Sequence, residues 1–239
     1  MSLGEWLDVS LPYSKYRHKR EGWYAAGFDI MIPTRVGMLC AYTGPLVAFF
    51  AVVWSDAAEL VASPRLMLLL CLWSMHYFKR LGEVMLVHVY SGEMPLVTTA
   101  SMVAMYSFVG YALSTVALLG HNHKGANSLV LPFSKLDIAD AFGLILWLVG
   151  TVGNLTHHII MSSARRGRGG TKEYVALSKL GGLFGTLTCP HYCFEVMAWF
   201  GYALVGRTVL HYTTVTFFSV YLGGRARRTR QWYAERKLL

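Results

Sequence analysis

The feature that most constrains this fold is a series of apolar runs about 20 residues long, separated by short polar stretches. Residues 36–54 read VGMLCAYTGPLVAFFAVVW, and residues 95–119 read PLVTTASMVAMYSFVGYALSTVALL. About 20 apolar residues in a helix span the hydrocarbon core of a bilayer. Of the 239 residues, 54% are hydrophobic and only 15% are charged, which is more apolar surface than a soluble domain needs. The sequence therefore predicts an integral membrane protein.

The other apolar segments predict an all-α bundle of about six transmembrane helices. Residues 63–90 are expected to form one long helix whose second half carries a polar stripe. Residues 137–161 are expected to span next. Residues 190–223 are long enough for two crossings, broken near Gly206 and Arg207.

Two regions differ in character along the chain. Residues 1–35 are predicted to be a cytosolic or interfacial segment, in which residues 22–34 favour a short amphipathic helix. Residues 36–239 are predicted to be one membrane domain. Within it, residues 162–188 form a loop rich in glycine, arginine and lysine, which indicates either a flexible basic cytoplasmic loop or a phosphate-binding segment.

Basic residues are clustered, and the formal net charge is +9. Clusters of lysine and arginine between long apolar segments indicate cytoplasmic loops and tails. Nucleic-acid binding would explain the clusters but not the apolar segments, so no nucleic-acid partner is predicted. The clustered residues are Lys15, Arg17, Lys19, Arg20, Arg165, Arg166, Arg168, Arg225, Arg227, Arg228 and Arg230.

A polar face follows the second half of the predicted helix 63–90. A helix advances about 100° per residue, which places the polar residues on one half of the helical wheel. Ionisable groups at membrane depth are costly and usually face a cavity or each other. A buried network pairing Lys79 or Arg80 with Glu83 would account for some of them, but six groups over three turns favour a functional cavity. The six are His76, Tyr77, Lys79, Arg80, Glu83 and His88.

Two further polar faces favour a shared chamber. Tyr192, Glu195 and Trp199 share a helix side at spacings of three and four residues, and Asn154 and His158 lie four apart. Each face alone is explained by a satisfied polar residue at a helix end. Three such faces in one small bundle indicate instead that they converge.

The nine histidines are not spaced as metal ligands usually are. No two of them lie three or four residues apart, whereas a helix needs that spacing to bring imidazoles together. We therefore expect no metal site.

Several stretches resemble one known family. Together they are similar to the steroid 5α-reductase superfamily, and within it to the trans-2-enoyl-CoA reductases of very-long-chain fatty acid elongation. The resemblance covers roughly residues 36–235, so residues 36–239 are interpreted as a membrane reductase domain of this type. The stretches are SMHYFKRLGEVMLVHVYSGEMPL (74–96), AYTGPL (41–46), GNLTHH (153–158), GGLF (181–184) and TCPHYCFEVMAWFGYAL (188–204).

The resemblance implies an NADPH-dependent reductase that is a multi-pass protein of the endoplasmic reticulum membrane. The implied reaction is reduction of the 2,3 double bond of a very-long-chain trans-2-enoyl-CoA, with hydride added to the β-carbon and a proton to the α-carbon. Other fatty acid elongation enzymes are the implied partners. The alternatives are a steroid 5α-reductase, a polyprenol reductase, or a catalytically divergent membrane relative.

The resemblance also implies roles for individual residues. Tyr192 is the expected general acid, Tyr77 is expected to contact the substrate carbonyl, and Lys79 and Arg80 are expected to assist catalysis. The predicted cofactor-binding residues are Asn154, His158, Arg165, Glu195, His191 and Tyr233, and the predicted substrate-binding residues are Glu83 and His88.

One departure from the family pattern bears on catalysis. The superfamily has a glutamate, which helps to polarise the substrate carbonyl, at the position of Ala41. The missing carboxylate is the reason to keep a divergent, non-catalytic relative among the alternatives.

Overall fold

The computed structural model describes residues 30–55, 63–90, 92–122, 136–166 and 175–239. Most of the predicted N-terminal segment 1–35, including residues 22–29 of its expected amphipathic helix, lies outside these described residues. In the described remainder the helix prediction is wrong, because Met31–Pro33 form a short strand.

Six α-helices form the described part of the chain, which confirms the predicted helical bundle. Three of these helices, α1, α3 up to Leu119, and α4, are long and apolar enough to cross a membrane by length and composition. The protein is a multi-pass membrane protein. The helices are α1 (Thr34–Ser55), α2 (Pro64–Gly82), α3 (Leu96–Asn122), α4 (Ile138–Arg166), α5 (Pro190–Gly206) and α6 (Val209–Glu235).

Two three-residue strands, which directly precede α1 and α3, pair with each other. β1 (Met31–Pro33) pairs antiparallel with β2 (Glu93–Pro95), and Met31 lies opposite Pro95. These strands were not predicted from the sequence, because three residues are too few to show an alternating pattern. A Cβ at Gly37 on α1 would lie 2.7 Å from Thr99 Oγ1 on α3, and one at Gly44 would lie 2.5 Å from Ser107 Oγ. The two helices therefore run side by side in the same direction.

Contacts between helices show that successive helices alternate in direction. Tyr42 on α1 contacts Arg80 near the end of α2, so these two helices are antiparallel. Arg65 contacts Asp140 at the starts of α2 and α4, and these two helices run in parallel.

The last three helices continue the alternation. A Cβ at Gly143 on α4 would lie 2.8 Å from the carbonyl oxygen of Gly201 on α5, and one at Gly150 would lie 2.6 Å from that of Phe194. These pairs show that α4 and α5 are antiparallel and packed closely enough to require glycine. Helix α6 runs parallel to α4 again, so the chain alternates as successive membrane crossings do.

The predicted break near Gly206 and Arg207 is confirmed. Arg207 follows α5 with a φ of 53°, the left-handed conformation that ends many helices. Thr208 then caps α6, where its hydroxyl accepts a hydrogen bond from the backbone N–H of His211 at 3.3 Å.

The prediction of one continuous helix over residues 63–90 is wrong beyond Gly82. The chain forms a π-helical turn over Glu83–Val87 and becomes extended at His88. The carbonyl oxygen of Val87 accepts a hydrogen bond from the Ser162 hydroxyl of α4. A side chain of a neighbouring helix thus hydrogen-bonds to a backbone carbonyl group that would have been bonded within the helix if α2 had continued.

Candidate active site

The polar face of α2 points into a cavity of about 270 Å³ between the helices. Every helix contributes to its wall, and the three polar faces that the sequence analysis found on separate segments meet there. Their predicted convergence is therefore confirmed. One contributor from each helix, in chain order, is Tyr42, Arg80, Tyr106, His158, Tyr192 and Arg225.

Glu83 is the shared counter-ion of the basic groups around it. It is 2% exposed, and its Oε2 lies 2.6 Å from Arg80 Nη1 and 3.2 Å from His158 Nδ1. Its Oε1 lies 3.3 Å from Lys79 Nζ. From the sequence, a buried ion-pair network and a functional cavity were alternative explanations of the polar face. Both are present, because the network lies directly behind the residues that line the cavity.

Arg80 connects this network to the residues that line the cavity. Its Nη2 donates a hydrogen bond to the phenolic oxygen of Tyr42 on α1. Its guanidinium carbon also lies 4.7 Å from the centre of the Tyr42 ring. That ring stacks on Tyr106 of α3, with ring centroids 6.1 Å apart. Arg80 is thus fixed by contacts with Tyr42 of α1 and with Glu83 of the π-helical turn that follows α2.

Asn154 lines the cavity and links three helices there. Its Oδ1 accepts a hydrogen bond from Lys79 Nζ of α2 at 2.5 Å, and its Nδ2 donates to the backbone carbonyl of His191 on α5 at 2.9 Å. Asn154 is 2% exposed, so an unsatisfied amide here would be costly. The residue holds α2, α4 and α5 in register at the site.

Glu195 places a second carboxylate at the cavity. Its Oε1 lies 3.4 Å from His76 Nε2 and accepts a hydrogen bond from the Trp199 indole at 3.3 Å. His76 lines the cavity with it, although the sequence analysis gave His76 no role of its own.

Tyr192, the predicted acid, has an arginine beside its hydroxyl. Arg225 Nε donates to the phenolic oxygen of Tyr192 at 3.3 Å, and Arg225 Nη1 donates to that of Tyr221 at 3.3 Å. From the sequence, Arg225 was predicted only as part of a basic cluster in a cytoplasmic tail. Its spacing of four from Tyr221 on one helix face was the available signal.

The cavity lining also includes apolar side chains. They are Met38, Met102, Met105, Phe218 and Leu222, from α1, α3 and α6. Methionine side chains are flexible and adapt to different apolar ligands. The sequence could not single these residues out, because every position around them is apolar too.

Eight of the twelve predicted site residues line the cavity, and four do not. Lys79 and Glu83 lie behind the wall, as described above. Arg165 is exposed near the end of α4 and donates to the carbonyl of Val89 at 3.2 Å. Tyr233 lies near the end of α6, outside the lining. The eight lining residues are Tyr77, Arg80, His88, Asn154, His158, His191, Tyr192 and Glu195.

Among the described residues, one group has the composition of a metal site. Donor atoms of Glu83, His88 and His158 all lie within 4.8 Å of one another, brought together by tertiary packing rather than by sequence spacing. Arg80 Nη1 lies 2.6 Å from the Glu83 carboxylate and 3.3 Å from His158 Nδ1, so a guanidinium already neutralises the carboxylate. A metal cation there would face Arg80 and Lys79, and the absence of a metal site stays a prediction.

Six alternating helices around a cavity lined by both polar and apolar side chains define a multi-pass membrane protein with an internal candidate site. The family model described as 3-oxo-5-alpha-steroid 4-dehydrogenase matches residues 92–237. The chain belongs to this family, which confirms the resemblance in its sequence and classes it among reductases that act on CH–CH groups.

Individual relatives are similar at modest identity. The very-long-chain enoyl-CoA reductase of Dictyostelium discoideum is 26% identical over 72% of this chain and 54% of its own length. The 3-oxo-5-alpha-steroid 4-dehydrogenase 1 of Macaca fascicularis is 27% identical over 87% of this chain and 75% of its own. A probable very-long-chain enoyl-CoA reductase of Caenorhabditis elegans is 24% identical over 81% and 64%. The chain thus spans about half the length of the Dictyostelium relative.

Proposed function

We propose that this chain reduces the 2,3 double bond of a very-long-chain trans-2-enoyl-CoA, with NADPH as the reductant. The observation that carries the proposal is the mixed lining of the cavity, which includes Arg80, Tyr192 and Arg225 as well as Met102 and Phe218. A lipid chain that ends in a thioester likewise has an apolar part and a polar part. The names of the Dictyostelium and Caenorhabditis relatives support this substrate class.

The polar residues of the cavity lining fit the reactive end of a dinucleotide. Arg80 and Arg225 offer cationic donors, His158 and His191 offer ring nitrogens, and Glu195 offers an acceptor for a carboxamide. The cavity of about 270 Å³ is smaller than most ligand pockets, so the remainder of a dinucleotide would extend beyond it. When bound, NADPH supplies the hydride, which no side chain can provide.

Tyr192 is suited to deliver the proton to the α-carbon. Its hydroxyl lies in the cavity wall, and Arg225 Nε donates to its oxygen at 3.3 Å. A guanidinium in this position stabilises the phenolate that remains after the proton has left. Because Tyr192 is only partly buried, its proton can be replaced through the cavity.

Tyr77 and Arg80 are suited to stabilise negative charge on the substrate carbonyl. Both line the cavity, and Glu83 fixes the direction of the guanidinium through its contact of 2.6 Å with Arg80. Groups that are held in place before the reaction stabilise a developing charge without reorganisation. His88 lines the same region, and Glu83 acts on a substrate there through Arg80 and Lys79.

The distribution of basic residues supports a cavity that opens towards the cytosol. Arg165 and Arg166 end α4, and Arg225, Arg227 and Arg228 lie in the last turns of α6. Both helix ends lie at the cavity end of the bundle. Positive residues mark the cytoplasmic side of a membrane. The proposal also places the protein in the endoplasmic reticulum membrane, in association with other elongation enzymes. The names of the enoyl-CoA reductase relatives support this part as they support the substrate.

A steroid substrate is the second candidate. The Macaca relative named for a steroid reaction matches 87% of this chain, the largest share among the three relatives described above. A 3-keto-4-ene steroid also joins an apolar body to an α,β-unsaturated carbonyl, so the same cavity chemistry applies.

One parallel assay separates the candidates. The purified full chain in lipid nanodiscs is given NADPH deuterated at its transferable position, with either a trans-2-enoyl-CoA or a 4-ene-3-ketosteroid. We expect a saturated acyl-CoA that carries deuterium at the β-carbon, found by mass spectrometry. A reduced steroid alone would replace the first candidate with the second, and no product from either would indicate a catalytically divergent relative.

Two variants test the site. Tyr192→Phe should abolish reduction, while Tyr212→Phe, a partly exposed tyrosine on α6 outside the cavity lining, should retain it. Arg165→Ala should mainly raise the KM for NADPH. Full activity in both Tyr192→Phe and Arg165→Ala would show that the proposed site is misplaced.

A further inference from the structure

We propose that Tyr42 is a catalytic residue of this cavity, whose phenol donates a hydrogen bond to the carbonyl oxygen of an α,β-unsaturated substrate. The inference rests on the proposed reductase function and assigns a role to a residue that had none in the sequence analysis.

Tyr42 is fixed in the cavity wall. It is 6% exposed, it lines the cavity from α1, and its ring stacks on Tyr106 with an interplanar angle of 5°. The preceding residue, Ala41, is fully buried and has no polar side-chain atom. Of these two neighbours, Tyr42 is the one that can present a polar group to a ligand.

The surroundings of Tyr42 strengthen its hydroxyl as a donor. Arg80 Nη2 donates to the phenolic oxygen, and Arg80 is itself held by Glu83 at 2.6 Å. A phenolic oxygen that accepts a bond from a cation carries less electron density, so its own O–H becomes a stronger donor. The cation is part of a buried network, so the arrangement is in place before a substrate enters.

Tyr77 provides a second phenol on the same wall. The Tyr42 and Tyr77 rings have centroids 6.4 Å apart, and Tyr77 is held against Trp73 at 4.8 Å. Two fixed donors from α1 and α2 that flank one carbonyl oxygen would constitute an oxyanion site. Tyr42 would be the member of the pair that is bonded to a cation.

The proposed role follows the charge through the reaction. As the β-carbon gains a hydride from the reduced nicotinamide, the electron pair of the double bond shifts and the carbonyl oxygen becomes negative. Tyr42 keeps its proton and shares it with that oxygen through the hydrogen bond. The enolate then re-forms the carbonyl while its α-carbon takes a proton from Tyr192, which leaves a saturated product and a phenolate at Tyr192.

The first test is Tyr42→Phe in the full chain, which keeps the ring and its stacking. Removal of one oxyanion donor costs about 10²–10³-fold in turnover, so we expect kcat to fall by about 100-fold with an unchanged KM for NADPH. The matched control is Tyr111→Phe on α3, an exposed tyrosine outside the lining, which should behave as the unmodified chain does. A kcat within about threefold of the unmodified chain would overturn the inference.

A binding measurement separates a carbonyl contact from a loss of structure. Affinity is compared for a saturated acyl-CoA thioester and for the thioether of the same chain length, which lacks the carbonyl. Tyr42→Phe should weaken the thioester by at least fivefold and leave the thioether unchanged. An equal loss for both would indicate a structural role and would overturn the proposal.

Failure of this inference can be told apart from failure of the proposed function. An unmodified chain that reduces neither the enoyl-CoA nor the steroid would overturn both. An unmodified chain that is active, beside an equally active Tyr42→Phe variant, would remove only the role of Tyr42.

Discussion

The two ends of α2 and α4 both contain charged contacts, but the two clusters differ in composition. At the first end, Arg65 Nη2 lies 2.7 Å from Asp140 Oδ2, and Arg207 joins Asp137 and Asp140. At the other end, three cations (Lys79, Arg80 and Arg225) accompany two carboxylates, Glu83 and Glu195. The first cluster is charge-balanced and none of its residues lines the cavity, whereas the second forms the wall of the cavity or lies directly behind it.

The spacing of the two clusters shows how the bundle separates them. Arg65 and Lys79 are fourteen positions apart in the sequence, and so are Asp140 and Asn154. At a rise of 1.5 Å per residue this is about 21 Å along both helices. Because α2 and α4 are parallel, they hold one cross-helix contact at each end. We infer that the balanced end holds the helices together, while the other end keeps positive charge for a ligand.

The largest effect on stability is expected from the balanced cluster. Arg65 and Asp140 are 1% and 2% exposed, so Arg65→Met alone would leave a buried carboxylate with one fewer cation and cost about 3–5 kcal/mol. The double change Arg65→Met with Asp140→Leu should recover much of that loss, because it removes both buried charges. Thermal unfolding in detergent measures both, and equal instability of the single and double variants would contradict the explanation.

Glu83→Gln is the matching change at the cavity end. It removes the carboxylate that contacts Arg80 and Lys79, and hydrogen bonds to charged groups contribute about 1.5–3 kcal/mol. We expect a smaller loss of stability than for Arg65→Met and at least a tenfold fall in kcat/KM, because Arg80 loses its fixed direction. If Glu83→Gln lowered stability but left activity unchanged, the cavity-end cluster would have the same structural role as the Arg65–Asp140 cluster. The proposed difference between the two clusters would then be wrong.

Close packing between the two clusters is expected to matter next. Gly150→Val should cost about 1–3 kcal/mol, because a Cβ would lie 2.6 Å from the carbonyl oxygen of Phe194 on α5. Gly223→Ala on α6 is the control, since its Cβ would meet nothing within 4 Å. Chemical or thermal unfolding of the two variants checks the prediction, which would be wrong if both unfolded alike.

The smallest effect is expected at the outer part of the balanced cluster and depends on pH. The hydrogen bonds from Arg207 hold the pKa of Asp137 below its ordinary value. Because the folded pKa is lowered, this contact stabilises the protein above the ordinary pKa of an aspartate and loses that effect as the pH falls. Asp137→Asn should therefore lower the melting temperature slightly at neutral pH and not at acidic pH. A difference that grew as the pH fell would contradict this sign.

The sequence predicted the membrane bundle better than it predicted the ends of its elements. Hydrophobic length defined the apolar segments, and Gly206 and Arg207 correctly marked the turn between α5 and α6. The helix predicted to reach residue 90 instead ends at Gly82, because Ser162 and Arg166 of α4 donate to the carbonyls beyond it. The position at which α2 ends therefore depends on a neighbouring helix, and the local periodicity of the sequence does not predict it.

The same limit applies to the site. The polar stripe on α2 could be predicted, because charged residues are unusual in an apolar segment. Its convergence with polar residues of α4 and α5 could be predicted as well. Tyr42 and Met102 were not visible, because a tyrosine or a methionine in an apolar run has an ordinary explanation in packing. Arg225 was assigned to a tail, because its distance from Tyr192 becomes 3.3 Å only in the folded chain.

By itself, the sequence determined that this chain crosses a membrane, that it belongs with a family of reductases, and that one helix carries charge into the apolar interior. Those properties follow from residue type and from the helical repeat, which are local. Only the tertiary structure decided which phenol meets Arg80, which carboxylate neutralises it, and which charged cluster surrounds a cavity. These depend on how helices far apart in sequence approach one another, a matter of packing that no single segment encodes.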